Sequence, residues 1–271
     1  MAYKRVLTIQ DISCVGQCSL TVALPIISVC GVETCILPSA VLSTHTGGFS
    51  GYTFRDLTDD IPKIAEHWKK ENICFDAVYT GYLGSIKQID YVLDILESSD
   101  SISIVDPVMG DKGKLYAGFN TEFVIAMKKL CEKADIIIPN ITEACFMTGL
   151  DYKEEYDSIY IDQLLAELRK FCSGTIVLTG VSYDDSSTGV VVLEKDTLTY
   201  YKHKKLAGGC HGTGDIYASA FTGALLNGKI VTEAAKIAAD FTLMCIETTD
   251  SDHWYGAQFE KSLPELSNML K

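Results

Sequence analysis

The runs Ile136-Ile137-Ile138 and Thr175-Ile176-Val177-Leu178 show no alternation of apolar and polar residues. A strand with one solvated face alternates. A strand apolar, or nearly so, at every position is buried on both faces, which requires helices above and below the sheet. Further strand-like runs are Val6–Ile9, Thr34–Leu37, Ala77–Thr80, Ile102–Val105 and Asp135–Ile138. Helical periodicity fills the gaps, at Ser19–Cys30, Ile61–Lys70, Lys87–Glu97, Phe119–Glu132, Thr142–Thr148 and Ile161–Phe171. The repeated strand–helix order predicts an α/β fold with a mostly parallel central sheet. The rhythm then changes. Gly189–Leu193 and Thr197–His203 are separated only by Glu194-Lys195-Asp196 and predict a β-hairpin on the sheet edge, and helices follow at Thr213–Leu226, Val231–Ile246 and Glu260–Leu270. A hairpin followed by consecutive helices favours an open sheet over a closed barrel. No linker, low-complexity stretch or repeat divides residues 1–271, so a single domain is expected.

Charge narrows the function. The net charge is −13, which is no footprint for nucleic acid. An anionic ligand must be held by local backbone N–H groups or metal ions rather than by the overall field. No apolar run reaches the roughly 18–20 residues that cross a bilayer, and the N-terminus shows no signal-peptide pattern, so a cytoplasmic protein is expected. The ten cysteines form no C-x-x-C pair and lie mostly in apolar runs, as buried thiols do. Cys14, Cys18 and His45 do not have a recognised zinc spacing.

The chemistry concentrates at strand-to-helix junctions. Gly208-Gly209-Cys210-His211-Gly212-Thr213-Gly214-Asp215 opens a helix. Its glycines allow backbone to approach a ligand, and the N–H groups of a helix start attract anions. Asp215 there is either an ordinary first-turn acid or a base that takes a proton from a hydroxyl attacking a phosphoryl group. Asp106-Pro107-Val108-Met109-Gly110-Asp111 follows a buried strand and is either a turn or a site for Mg²⁺ held through water. Pro139-Asn140-Ile141-Thr142-Glu143 reads as a helix cap or as a partner to Asp106 at a metal–phosphate site. Thr80-Gly81-Tyr82-Leu83-Gly84-Ser85 either packs Tyr82 or presents it to a flat ring. Asp11, just past the first strand, is either a helix or turn cap for the Ser13 region or a further member of this set, and Ser43–Phe49, with His45 and Thr46, is a polar loop. Apart from that loop, these segments all lie where parallel strands end, on one edge of the sheet. No P-loop or H-R-D motif is present.

In combination, Thr80–Ser85, Asp106–Gly110, Pro139–Glu143 and Gly212–Asp215, with Ile9-Gln10-Asp11 and Ser43–Gly47, resemble the pyridoxal kinase family of the ribokinase-like superfamily. The resemblance implies a three-layer α/β/α fold and transfer of the ATP γ-phosphoryl group to the 5′-hydroxymethyl of a B6 vitamer, in vitamin salvage. It implies Asp215 as base, with Gly212, Thr213 and Gly214 as an anion hole. Asp106 and Glu143 would organise Mg²⁺ and the ATP phosphates, with Asn140 nearby. Thr179, Lys204, Lys205 and Leu206 would border the nucleotide, while Asp11, Thr46 and Tyr82 would hold the pyridine ring. It also admits a monovalent cation and suggests a homodimer. One departure stands out: Asp11 occupies a position where many pyridoxal kinases carry Ser. Together with Cys210-His211 it points toward hydroxymethylpyrimidine kinases, although the typical motif of those enzymes ends in Cys where this chain has Asp215. Two other classes fit the same fold: an ADP-dependent dehydratase that repairs hydrated nicotinamide nucleotides, and a nucleotide sensor without catalysis.

Overall fold

The structure is a computed structural model that describes residues 3–206 and 210–271. Its centre is a nine-stranded sheet. In chain order the elements are β1 (Arg5–Ser13), α1 (Leu20–Val29), β2 (Glu33–Leu42), β3 (Phe54–Asp56), α2 (Ile61–Lys70), β4 (Ala77–Thr80), α3 (Ile86–Glu97), β5 (Ile102–Val105), β6 (Gly110–Asp111), β7 (Lys114–Leu115), α4 (Thr121–Lys133), β8 (Ile136–Ile137), α5 (Ile141–Thr148), α6 (Ser158–Arg169), β9 (Thr175–Asp184), β10 (Ser187–Glu194), β11 (Thr197–Lys204), α7 (Thr213–Leu226), α8 (Val231–Thr248) and α9 (Leu263–Met269). The sheet order is β11-β10-β9-β8-β5-β4-β1-β2-β3, with β6 and β7 forming a separate hairpin. Pairing is parallel from β9 through β2 and antiparallel at both margins.

The period-2 geometry of strands assigns each side chain to a layer. Val6, Ala77, Tyr79, Ile104, Ile136, Val177, Val190 and Val192 face a core shared with α1, α7, α8 and α9. Their neighbours Leu7, Val78, Val105, Ile137, Ile176, Leu178 and Val191 face a second core under α2 to α6. The three-layer α/β/α architecture with an edge hairpin is thus as expected. The expected hairpin is β10–β11, and it is part of a longer meander because β9 runs on to Asp184 and pairs antiparallel with β10.

Three short strands, β3, β6 and β7, do not follow from the apolar pattern. Phe54, Arg55 and Asp56 are all exposed, so no burial pattern marks them. The first two strands also run further than their apolar stretches: β1 continues through Gln10, Asp11, Ile12 and Ser13. Its register with β2 is irregular between Gln10 and Ile12, beside Pro38, which has no N–H for the ladder.

Helix α7 is nearly all small or apolar and packs closely on α1. A Cβ built on Gly223 would lie 2.4 Å from the Cys30 sulfur, so this helix pair accepts no side chain there. Phe221, fully buried in the same helix, fixes α7 on the sheet. Phe221→Ala should lower unfolding free energy by about 3–5 kcal/mol, the usual range for a large core truncation, as read from urea denaturation.

Candidate active site

The parallel strands all end on one edge, and their order across the sheet sets the order of the candidate groups. From β9 to β2 these are Thr179, Asn140, Asp106, Tyr82, Asp11 and the Ser43–Phe49 loop. That loop joins β2 to β3, so it too stands at this edge and joins the other segments. Helix α7 begins beside β1, and its first turn brings Asp215 to the same place.

The start of α7 is built for close approach. Gly212 is left-handed at φ 77°, and a Cβ there would fall 1.7 Å from the Gln17 carbonyl oxygen. Only glycine fits this position. Gly214 is different: among the described residues a Cβ on it would meet nothing within 4 Å, so its bareness leaves open space in front of the helix. Among the described residues no side chain caps α7, which leaves its first-turn N–H groups for a ligand. Gly208 and Gly209, at the start of the expected glycine-rich loop, lie outside the described residues.

Asp215 is half-buried in this turn. Burial pushes its carboxyl up to about 7; nearby Asp11 adds to the rise, and the Ser19 backbone N–H pulls against it. Asp11 is 5% exposed and also raised by burial, held by the Ser19 and Ser13 hydroxyls. Ser13 Oγ donates to its Oδ2 at 3.0 Å. Ser19 therefore touches both acids. It does so from a left-handed backbone (φ 56°, ψ −130°) that a serine rarely adopts. No motif marks Ser19, because its importance lies in its backbone angle.

Asp106 and Glu143 form the other acidic pair. Glu143 combines two structural jobs. It closes a capping box with Asn140, whose N–H donates to Oε2 at 2.9 Å, and it accepts the Met109 N–H on Oε1 at 3.2 Å. Asn140 Nδ2 donates to the Gly110 carbonyl at 2.9 Å. Helix α5 thus grips the Asp106–Asp111 loop from below, and the capping reading of Asn140 and Glu143 holds alongside any ligand role. Burial raises the Glu143 carboxyl to about 8, against the pull of those N–H groups. Asp106 is 7% exposed and accepts no hydrogen bond among the described residues. Burial, then Glu143, then Asp215 push it well above the usual carboxylate range. A buried carboxylate with like charges around it and no donor is a fitting ligand for a hard cation.

Elsewhere the structure redistributes the candidates. Thr179 does border Asn140: its N–H donates to the Pro139 carbonyl at 2.9 Å. Lys204 does not turn toward this edge; its ammonium pairs with Glu247 of α8 at 3.4 Å, on the surface. Lys205 is exposed, with its backbone N–H on Ser186, and Leu206 is half-buried. Thr46 is exposed, whereas the neighbouring Thr44 hydroxyl is buried without a hydrogen-bond partner among the described residues. Tyr82 is half-buried, 5.7 Å from the Phe119 ring, and burial raises its hydroxyl to about 12. His45 accepts the Gly47 N–H on Nδ1 and so donates from Nε2 to the Tyr255 carbonyl at 2.7 Å. With both nitrogens engaged, it joins no metal site with Cys14 and Cys18. Its ring lies 5.3 Å from His211, and Phe49 packs on Trp254 at 4.7 Å, so the C-terminal loop walls this side. A separate 610 Å³ depression opens at the other edge, by Ile102, Ile136 and Thr175, and has none of these groups.

Such an edge can hold an anion at α7, a cation at Asp106 and a hydroxyl beside Asp215, which is the layout of phosphoryl transfer. The comparisons with known proteins agree. The family model for phosphomethylpyrimidine kinase matches residues 28–258. A Bacteroides thetaiotaomicron protein assigned as a phosphomethylpyrimidine kinase is 36% identical, with a TM-score of 0.92 over 98% of this chain and 94% of that one. Its orthorhombic form, crystallised with pyridoxal, superposes with a TM-score of 0.91 at 37% identity, over 97% and 96% of the two chains. Pyridoxal kinase from Lactobacillus plantarum is 30% identical, with a TM-score of 0.92 over 98% and 97%. Pyridoxal kinase of Dictyostelium discoideum is 26% identical over 257 residues, covering 89% of this chain and 82% of its own.

The Gly212 geometry can be tested directly. Gly212→Ala should lower stability by about 3 kcal/mol, since a left-handed alanine also collides with backbone. For a chain of this size that corresponds to a drop in Tm on the order of 6–12 °C. Gly214→Ala should leave Tm within about 2 °C, a contrast that thermal melts would show.

Proposed function

The chain belongs to the phosphomethylpyrimidine kinase family and to the pyridoxal kinases within it, and we propose on that premise that it transfers the γ-phosphoryl group of ATP to the 5′-hydroxymethyl of a B6 vitamer. The observation that carries the mechanism is Asp215: a half-buried acid in the first turn of a helix whose N–H groups no side chain caps among the described residues, with a carboxyl raised to about 7. A group with that pKa is ionised enough to accept a proton near neutrality and basic enough to use it.

In this reading Asp215 takes the proton of the acceptor hydroxyl as that oxygen attacks phosphorus in line. The N–H groups of Gly212, Thr213 and Gly214 bind the charge that spreads over the phosphoryl oxygens. Asp106 would hold Mg²⁺ through water; the orphaned, crowded carboxylate supports this, and Glu143 would act from behind it while fixing the loop. Bound there, Mg²⁺ neutralises phosphate charge. Asn140 and Thr179 would border the nucleotide, with Lys205 and Leu206 at its margin. Lys204 would stand at that margin too, with its ammonium paired to Glu247 on the surface. Asp11 and Tyr82 would face the vitamer ring, and Thr44 joins Thr46 as a candidate in the loop above it. We also assign residues 1–271 to one kinase domain, because a single sheet gathers strands from β1 to β11. All ten cysteines are free thiols, which suits a reducing cytoplasm. A homodimer is proposed on the family resemblance alone. A pyrimidine substrate is the second reading, favoured by the family model's own description and by Cys210-His211; the pyridoxal-bound form of the Bacteroides relative weighs for the vitamer.

Asp215→Ala should lower ATP-dependent phosphorylation of pyridoxal by about 10²–10⁴-fold, the range for one acid–base group. Turnover near wild type would remove Asp215 from the role of base. In a panel of pyridoxal, pyridoxamine, pyridoxine, hydroxymethylpyrimidine and ribose, the pyridines should lead.

The raised carboxyls also set a pH dependence. For the base, kcat/KM should climb about tenfold per pH unit below about 7 and level off above it. Stability should run the other way. The folded state keeps protons on Asp215 and Glu143 up to about 7 and 8, while the unfolded chain releases them near 4. Folding therefore weakens as pH rises through that window. Asp215→Asn should flatten the fall in Tm between about pH 5 and 8 while abolishing activity.

A further inference from the structure

The charge balance of this edge is incomplete. Asp11, Asp106, Glu143 and Asp215 converge there, ATP adds more negative charge, and Lys204 is turned away to Glu247. Lys112 is in none of the ion pairs formed among the described residues.

Its place in the fold is unusual. Lys112 and Gly113 are the two turn residues between β6 and β7, at φ 50° and 73°. Two positive φ values make the type I′ hairpin turn, whose first position favours Asn, Asp or Gly. A lysine there bears strain that asparagine would relieve. The turn is not loose. Gly113 N–H donates to Thr142 Oγ1 at 2.9 Å, and the β6 end is held by Asn140 Nδ2 on the Gly110 carbonyl. The strained turn is therefore fastened to the N-terminus of α5. The Lys112 ammonium is also close enough to His211, just before Gly212, to oppose protonation of that imidazole. Lys112, exposed at the tip of this turn, thus stands on a hairpin fastened to the start of α5, with its charge felt by His211 in the loop before α7.

We propose that Lys112 is a catalytic residue whose ammonium binds the phosphoryl group as it passes from ATP to the acceptor hydroxyl, an inference that rests on the kinase reading above. In that step the bond from γ-phosphorus to the β–γ bridging oxygen breaks and ADP leaves with its electron pair. The bond from phosphorus to the hydroxymethyl oxygen forms, and the hydroxyl proton goes to Asp215. Lys112 keeps its own protons throughout and supplies fixed positive charge, as preorganised cations do in phosphoryl transfer.

The test uses the whole chain with ATP, Mg²⁺ and pyridoxal, comparing wild type with Lys112→Asn, Lys112→Met and Lys112→Arg. Lys112→Asn suits the turn better than lysine, so a loss of activity in it cannot come from misfolding; its Tm should equal or exceed that of wild type. Expected are kcat values lowered by about 10–100-fold in the Asn and Met variants, with the pyridoxal KM within about twofold, and kcat within about fivefold of wild type for Arg. A kcat within threefold of wild type for Lys112→Asn overturns the proposal, as does a change confined to the KM of ATP. A Lys112→Arg variant as slow as Lys112→Met also counts against it. Wild type that fails to phosphorylate pyridoxal would sink the kinase reading instead, and the two failures are thereby told apart.

Discussion

Burial of the sheet on both faces is the constraint from which the rest follows. With α1, α7, α8 and α9 on one side and α2 to α6 on the other, the strands of the centre have no solvated face on which to carry chemistry. Polar groups can stand only where strands stop. Parallel pairing from β9 to β2 puts all those stops on one edge, and the helices that follow start there with their N–H groups facing outward. The convergence of Asp11, Asp106, Asn140, Thr179 and Asp215 is thus a consequence of topology.

That edge is held by interactions that serve structure and site together. Glu143 shows this best. Its two oxygens accept N–H groups from Asn140 and Met109, so one carboxylate caps α5 and fixes the loop that carries Asp106. The same acid raises the Asp106 carboxyl by its charge. The cap does not compete with a ligand role for Pro139–Glu143, because the same contacts fix the loop that carries Asp106. Ser19 works similarly between Asp11 and Asp215, using a strained backbone to reach both.

The layers and most elements were legible in the sequence because apolar runs report burial directly. Val78 and Tyr79 face opposite cores as their spacing requires, and α2, β4 and β5 have the bounds their patterns suggest. The misses share a cause. β3, β6 and β7 are short and largely exposed, so no burial pattern marks them. The polar end of β1 reads as loop although it is strand, because Asp11 and Ser13 are buried by the site rather than by the core. Side-chain direction was also out of reach. Nothing in the sequence says that Lys204 turns to Glu247, or that the buried orphan hydroxyl in the β2–β3 loop belongs to Thr44.

The acids at this edge are costly to the fold, since like charges near one another in a buried place favour protonation or unfolding. Asp106 has no donor among the described residues to offset its burial. A chain selected for stability alone would place amides there. Its retention of carboxylates fits a site completed by cations from outside and by positive charge that the chain positions itself. The two glycines of this turn differ sterically: at Gly212 backbone packing excludes any side chain, whereas among the described residues nothing meets a Cβ at Gly214 and the space in front of α7 is open. The first glycine serves the protein's own packing, and the second leaves room at the helix start where the acids converge.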